Sequence, residues 1–238
     1  MYRWTPEMIR FLEDAAQKTE YYEQLAARLA ALLPGGACLC DVGCGLGHLA
    51  QALCPRFAQV TALDHSAEAI DAFRRRLGTN CPDNLHICCA DAFALPQTLR
   101  FDAMIFCYFG SLPEILRVAR RHCTGKTVII RRDEALHRFD LDGHPRTRAG
   151  AADTLATLKA QGIHCTAERL TVEFGQPFRS MEDALRFFRL YRRDPQRTVD
   201  VSDVAPKLIE TQNAEFPLYY PQPKRIAILS FETSQTAM

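Results

Sequence analysis

A chain of 238 residues fits one large domain, or one domain with a modest insertion. Its 47% hydrophobic and 24% charged residues are those of a soluble globular protein, with no apolar run long enough to span a bilayer. A formal net charge of +1 gives no global pull toward nucleic acid or acidic lipid, which argues against either as a partner. The first residues, Met-Tyr-Arg-Trp-Thr-Pro-Glu, carry no apolar signal core and predict a cytoplasmic protein. None of the ten cysteines forms a Cys-x-x-Cys pair, so zinc-ribbon spacing is absent; most read as small buried apolar residues in a reducing compartment.

Residues 5–33 read as one or two helices, started by Thr5-Pro6-Glu7 and stopped by Pro34-Gly35-Gly36. Ile9, Leu12 and Ala16, then Tyr22, Leu25, Leu29, Leu32 and Leu33, keep helical spacing. Next comes the segment Cys38-Leu-Cys-Asp-Val-Gly-Cys-Gly-Leu-Gly-His-Leu-Ala50: a buried strand, a tight glycine loop and a helix start. Gly43, Gly45 and Gly47 allow close approach of a ligand to the main chain, and the free N–H groups of a helix start favour polar or anionic atoms. Asp41 is an acceptor beside that loop. The loop ends in Gly47-His48-Leu49, without the Lys-Ser/Thr of a phosphate loop, and His48 stands where a dinucleotide fingerprint needs its last glycine.

The pattern Asp-x-Gly-x-Gly-x-Gly, at Asp41, Gly43, Gly45 and Gly47, resembles motif I of the class I S-adenosylmethionine (SAM) dependent methyltransferases, small-molecule type. The resemblance covers about residues 37–175 plus 224–232. It implies SAM as cofactor, with S-adenosylhomocysteine (SAH) as product. Leading helices often cover the cofactor in this family, so Tyr21 or Tyr22 can face the site; the other reading puts Tyr22 in the core and Tyr21 at the surface.

Beyond the motif, His48–Leu53 reads as a helix and residues 59–64 as a second strand ending in Asp64, where a carboxylate can accept from two ribose hydroxyls. His65 is an adenine contact or a plain loop residue. Ser66 caps a helix over 67–77. A third strand, 84–90, runs into Asp91-Ala92-Phe93; the resemblance implies that Asp91 accepts from the adenine amino group and that the Ala92 main chain donates to the ring. The fourth strand, 101–107, leads to Cys107-Tyr108-Phe109-Gly110-Ser111, which lacks the Asn/Asp-Pro-Pro-Tyr of adenine-N6 and glutamine methyltransferases. A helix over 113–121 and a fifth strand over 127–130 follow. The implied cofactor contacts are thus Asp41, Gly43, Cys44, Gly45, Gly47, Asp64, His65, Asp91, Ala92, Phe93 and Cys107.

Residues 131–150 form either a substrate loop or a solvated connection, followed by a helix over 150–161, a sixth strand over 164–174 and a last strand over 224–231. The expected fold is a doubly wound, Rossmann-like α/β sheet of seven strands. The resemblance adds that the last strand is antiparallel and lies between the fifth and sixth. Residues 1–36 form an N-terminal helical segment, 37–175 plus 224–238 the core, and 176–223 a helical and aromatic cap.

Tyr22, Tyr108, Phe109, Tyr191, Arg192 and Tyr220 are the expected acceptor-binding residues. Tyr108 and His137 are the candidate bases, with His144, Tyr219 and Tyr220 as further orienting groups. Arg186, Arg189, Arg192, Arg193 and Arg197 form either a solvated face or an anion-binding one. No metal is expected, Asp133, Asp140 and Asp142 being the only acidic set near the strand ends. The expected activity is methyl transfer to a small-molecule acceptor, an anionic metabolite among the candidates; RNA or protein methylation and a non-catalytic SAM-binding regulator are the alternatives.

Overall fold

Thr5 caps the first helix, α1 (Pro6–Lys18): its side chain accepts from the Met8 N–H at 3.2 Å, and Pro6 opens the first turn. Helix α2 (Tyr21–Leu32) follows after a break at Thr19 and Glu20. The computed structural model describes residues 3–134, 139, 141–144 and 150–236. The core then alternates: β1 (Cys38–Val42), α3 (His48–Leu53), β2 (Gln59–Asp64), α4 (Ala67–Leu77), β3 (Leu85–Cys89), β4 (Phe101–Cys107), α5 (Leu112–His122), β5 (Cys123–Arg132), α6 (Ala151–Ala160) and β6 (Thr166–Glu173). After β6 come β7 (Gln176–Phe178), α7 (Met181–Tyr191), α8 (Val201–Val204), β8 (Ile209–Glu210), β9 (Leu218–Tyr220) and β10 (Pro223–Glu232).

Seven strands make one sheet in the order β3-β2-β1-β4-β5-β10-β6, with β10 antiparallel to both neighbours. This is the expected sheet. Strand β5 is longer than the apolar run 127–130 because β10 pairs with it from Arg132 to Lys126. Strand period fixes two cores. Leu39, Ala103 and Ile105 face the layer of α2 and α3, while Cys40, Val42, Met104 and Phe106 face that of α5 and α6. Asp102, at the amino end, accepts from the Cys38 N–H at 2.8 Å and ties β4 to β1, far from the glycine loop.

The inserted segment is not purely helical. β7, β9 and β8 form a second, antiparallel sheet beside α7. Strands of two or three residues leave no periodic trace, and β7 meets β9 only across some forty intervening residues. This region has its own apolar core of Phe178, Ala184, Phe187, Phe188, Val199 and Val204, and Phe11 from α1 sits inside it. Two crossed ion pairs bind α1 to the insertion. Arg10 reaches Asp183 at 3.2 Å and Arg179 reaches Asp14 at 2.9 Å, with both carboxylates buried. No helix among the described residues is long and apolar enough to cross a membrane.

Candidate active site

At the carboxyl end of β1 the chain turns through Gly43, Gly45 and Gly47, all in the left-handed region at φ 74°, 54° and 72°. Two of them also need the missing side chain. A Cβ on Gly43 would stand 2.6 Å from the Phe109 ring, and one on Gly47 would overlap the Phe73 ring. The loop's own donors are used within the protein. Gly43 and Cys44 both donate to the Leu63 carbonyl, at 2.7 and 3.0 Å, and Gly47 donates to Cys44. Gly45 donates to Asp64 Oδ2 at 2.8 Å.

Asp64 therefore does more than the sequence suggests. Its second oxygen accepts from the Ser66 N–H at 2.9 Å, and the His65 ring stands 3.5 Å away. The carboxylate ties the loop to β2, with further lone pairs available to hydroxyl donors.

Asp41 is in the opposite situation. It is 1% exposed, and among the described residues neither carboxylate oxygen has a hydrogen-bond partner. Burial, together with the charge of Asp64, pushes it up to about 7. Buried polar groups are almost always paired, so a carboxylate left open beside a glycine loop marks where a polar ligand group belongs.

Asp91 stands at the end of β3, exposed, with one oxygen accepting from the Phe93 N–H at 2.9 Å. Ala92 is buried, and Phe93 lies 6.5 Å from the Phe109 ring and beneath the Arg117 guanidinium. Burial pushes the Cys107 thiol up to about 12, and raises Cys44 well above the ordinary thiol range as well. Both sulfurs are inert as nucleophiles in that state.

Tyr108, after β4, has φ 57°, the only positive φ outside glycine among the described residues. Its N–H donates to Ile130, and the buried Arg131 donates to the carbonyls of Phe109 and Gly110 at 2.8 and 2.9 Å. The Tyr108 hydroxyl meets that of Tyr21 at 2.6 Å, and the Lys224 ammonium lies 4.3 and 4.4 Å from the centres of the Tyr108 and Tyr21 rings. Tyr21 is the buried member of its pair, at 1% exposure, while Tyr22 is half-buried and stacks on His48 at 5.1 Å. Tyr21 is thus in the core rather than at the surface, and Tyr22 packs half-buried against that same core. Burial, with Arg76 nearby, lowers His48 to about 3, which keeps it neutral.

Tyr191 and Tyr220 belong to the insertion's aromatic core, against Phe187 and Phe188. Arg192 donates to the carbonyls of Arg189 and Pro195, and Arg189 to that of Val199. Arg186 pairs with Glu182, and Arg197 with Asp142 and Asp203. Most of the arginine run thus stitches the insertion together. His137 lies outside the described residues, as does Asp140; Asp133 pairs with Arg169. The sequence reading missed Arg131, Lys224 and Trp4. Lys224 was accessible, because the amino end of an antiparallel last strand falls at the carboxyl edge of the parallel ones. Trp4 lies over the loop, 3.2 Å from where a Gly45 Cβ would be.

A family profile described as a methyltransferase domain matches residues 39–126, the span from β1 to the start of β5. No curated protein sequence matches the chain. Among solved structures, the YcgJ protein of Bacillus subtilis is 14% identical, with a TM-score of 0.55 over 89% of this chain and 98% of that one. Magnesium protoporphyrin IX methyltransferase from Synechocystis, solved with SAH, is 12% identical, with a TM-score of 0.53 over 96% and 89%. Precorrin 8W decarboxylase from Methanobacterium thermoautotrophicum is 18% identical, with a TM-score of 0.50 over 87% and 89%. Likeness at this level is likeness of fold, and the fold hosts more than one chemistry. Residues 39–126 thus match a methyltransferase domain, with the motif at Asp41 to Gly47 inside the match, and the sheet with its antiparallel β10 has the fold of the methyltransferase structures it resembles.

Proposed function

We propose that the chain binds SAM along the carboxyl edge of β1, β2 and β4 and transfers its methyl group to a small anionic acceptor. The observation that carries this reading is Asp41, buried without a partner beside the glycine loop. An ammonium group such as that of the methionine moiety supplies the missing charge and hydrogen bonds. Asp64 retains acceptor capacity for ribose hydroxyls, and Asp91 one free oxygen for the adenine amino group. His65, Ala92 and Phe93 flank the base, and Cys44 and Cys107 the sulfur side. Bound there, SAM supplies a methyl carbon on a sulfonium leaving group, so the protein's work is chiefly positioning, a contribution on the order of 7–11 kcal/mol when complete.

Tyr108 and Phe109 stand at the acceptor end of this edge. Arg132 and Lys224 beside Tyr108 support an anionic acceptor. Four arginines of the run that would have offered RNA a docking face bond to groups of the insertion, and Arg197 also to Asp142. We read α1 and residues 176–223 as one cover over the site, joined through Phe11 and the two crossed ion pairs.

The test is SAH release from SAM over a panel of small carboxylated and phosphorylated acceptors, run beside structured RNA. Turnover on an anionic small molecule supports the proposal. Turnover on RNA alone, falling steeply with salt, replaces it. SAM binding without turnover on any acceptor leaves a regulator.

A further inference from the structure

The Tyr21 hydroxyl is buried, and among the described residues its one hydrogen-bond partner is the Tyr108 hydroxyl, at 2.6 Å. A buried hydroxyl that has a single acceptor donates to it, since the alternative leaves its proton unpaired. Tyr21 is then the donor and the Tyr108 oxygen the acceptor. Burial and the neighbouring Tyr108 hold Tyr21 well above the ordinary phenol range, so it stays a donor throughout.

The nearby cations favour charge on Tyr108. The Lys224 ammonium, which both rings share, lies 4.3 Å from the Tyr108 ring centre, and the Arg132 guanidinium stands 5.5 Å from it. Arg131 fixes the following two carbonyls. Among the described residues, the other titratable groups beside this pair are Tyr22 from α2 and Cys107 from β4, with Asp41 from β1 next to Cys107. A donated hydrogen bond and nearby positive charge both favour the anionic form of a phenol. The left-handed backbone at Tyr108 is the kind of local strain that folds retain at working positions.

We propose that Tyr21 and Lys224 are positioning residues that hold Tyr108 as the acceptor of the proton that the methylated hydroxyl or ammonium must lose. In that step the O–H or N–H bond breaks and its proton bonds to the Tyr108 phenolate oxygen. The electron pair left on the acceptor atom bonds the methyl carbon, and the pair of the broken carbon–sulfur bond stays on sulfur. Water then takes the proton from Tyr108. The assignment rests on methyl transfer as the activity and extends it to acceptors that carry an ionisable proton.

The test is NMR titration of protein labelled with 13C at tyrosine Cζ, which needs neither cofactor nor acceptor. The chain has seven tyrosines, and loss of one resonance in Tyr108→Phe assigns Tyr108. We expect Tyr108 to ionise at lower pH than the other tyrosines. In Tyr21→Phe and in Lys224→Met its midpoint should rise by about one pH unit or more, a tenfold change in proton affinity. Lys224→Arg, which keeps the charge, should restore it. Once an acceptor is in hand, the rising limb of the pH–rate profile should move by the same amount, with the KM for SAM unchanged. A Tyr108 midpoint equal to that of the exposed tyrosines, or unmoved in correctly melting variants, overturns the proposal. Failure of SAM to bind in a separate titration overturns the methyl-transfer reading instead.

Discussion

Replacing Asp41 by asparagine separates folding from binding, because the two should move in opposite directions. The wild-type carboxyl sits at 1% exposure without a partner and is pushed from about 3.8 to about 7. The folded protein therefore keeps this proton between about pH 4 and 7, where the unfolded chain releases it. Folding stability must fall as the pH rises through that window and stay low above it. At about 1.4 kcal/mol per pH unit, the displacement costs the wild type on the order of 4 kcal/mol above pH 7. The amide of Asp41→Asn cannot ionise. Urea melts should show the variant equal to wild type near pH 4 and more stable near pH 8, by up to about 4 kcal/mol. Calorimetry at the same pH should show SAM binding weakened by roughly 1.5–3 kcal/mol, the contribution of a charged hydrogen bond. A variant less stable than wild type at pH 8, or one that binds SAM with unchanged affinity, would refute the reasoning.

Asp64→Ala should weaken SAM binding by roughly 1–3 kcal/mol and also lower the melting temperature, since the carboxylate accepts from the Gly45 and Ser66 N–H groups. Calorimetry and a thermal scan check the two effects separately; unchanged affinity in folded protein removes Asp64 from the site. Trp4, the single tryptophan, lies against Gly45. Its emission should shift on adding SAH and stay unchanged with NADH, and a spectrum blind to SAH would place the ligand elsewhere. Phe11→Ala should cost about 3–5 kcal/mol of packing between α1 and the insertion, and limited proteolysis should then cut first within residues 176–222. First cleavage in the core sheet would contradict a joined cover.

The order of elements was legible because most core strands hold a short apolar run bounded by turn residues, β6 alternating loosely instead, and most of the helices carry a cap or a proline start. Asp41 and the glycines belong to one strand-to-helix motif, and Asp64 was read from the acidic end of the next strand. Long-range partnerships were not legible. Tyr21 and Tyr22 are adjacent in sequence, and only the packing of α2 against Phe174 and Tyr108 decides which is buried. The arginine run read as either a solvated or an anion-binding face, and its carbonyl and carboxylate partners, as distant as Asp142 for Arg197, could not be read from spacing. Phe11 gives no sign in the sequence that it completes a core about 170 residues downstream.

Calorimetric titration with SAM, SAH, NADH and ATP, near pH 6.5 in two buffers of different ionisation enthalpy, tests the central claim most directly. The account predicts selective binding of SAM and SAH, with release of up to about one proton per site as the bound ammonium draws Asp41 into its charged form. Preference for NADH, or binding of SAM with no proton released, would contradict the role given to Asp41 and the site built around it.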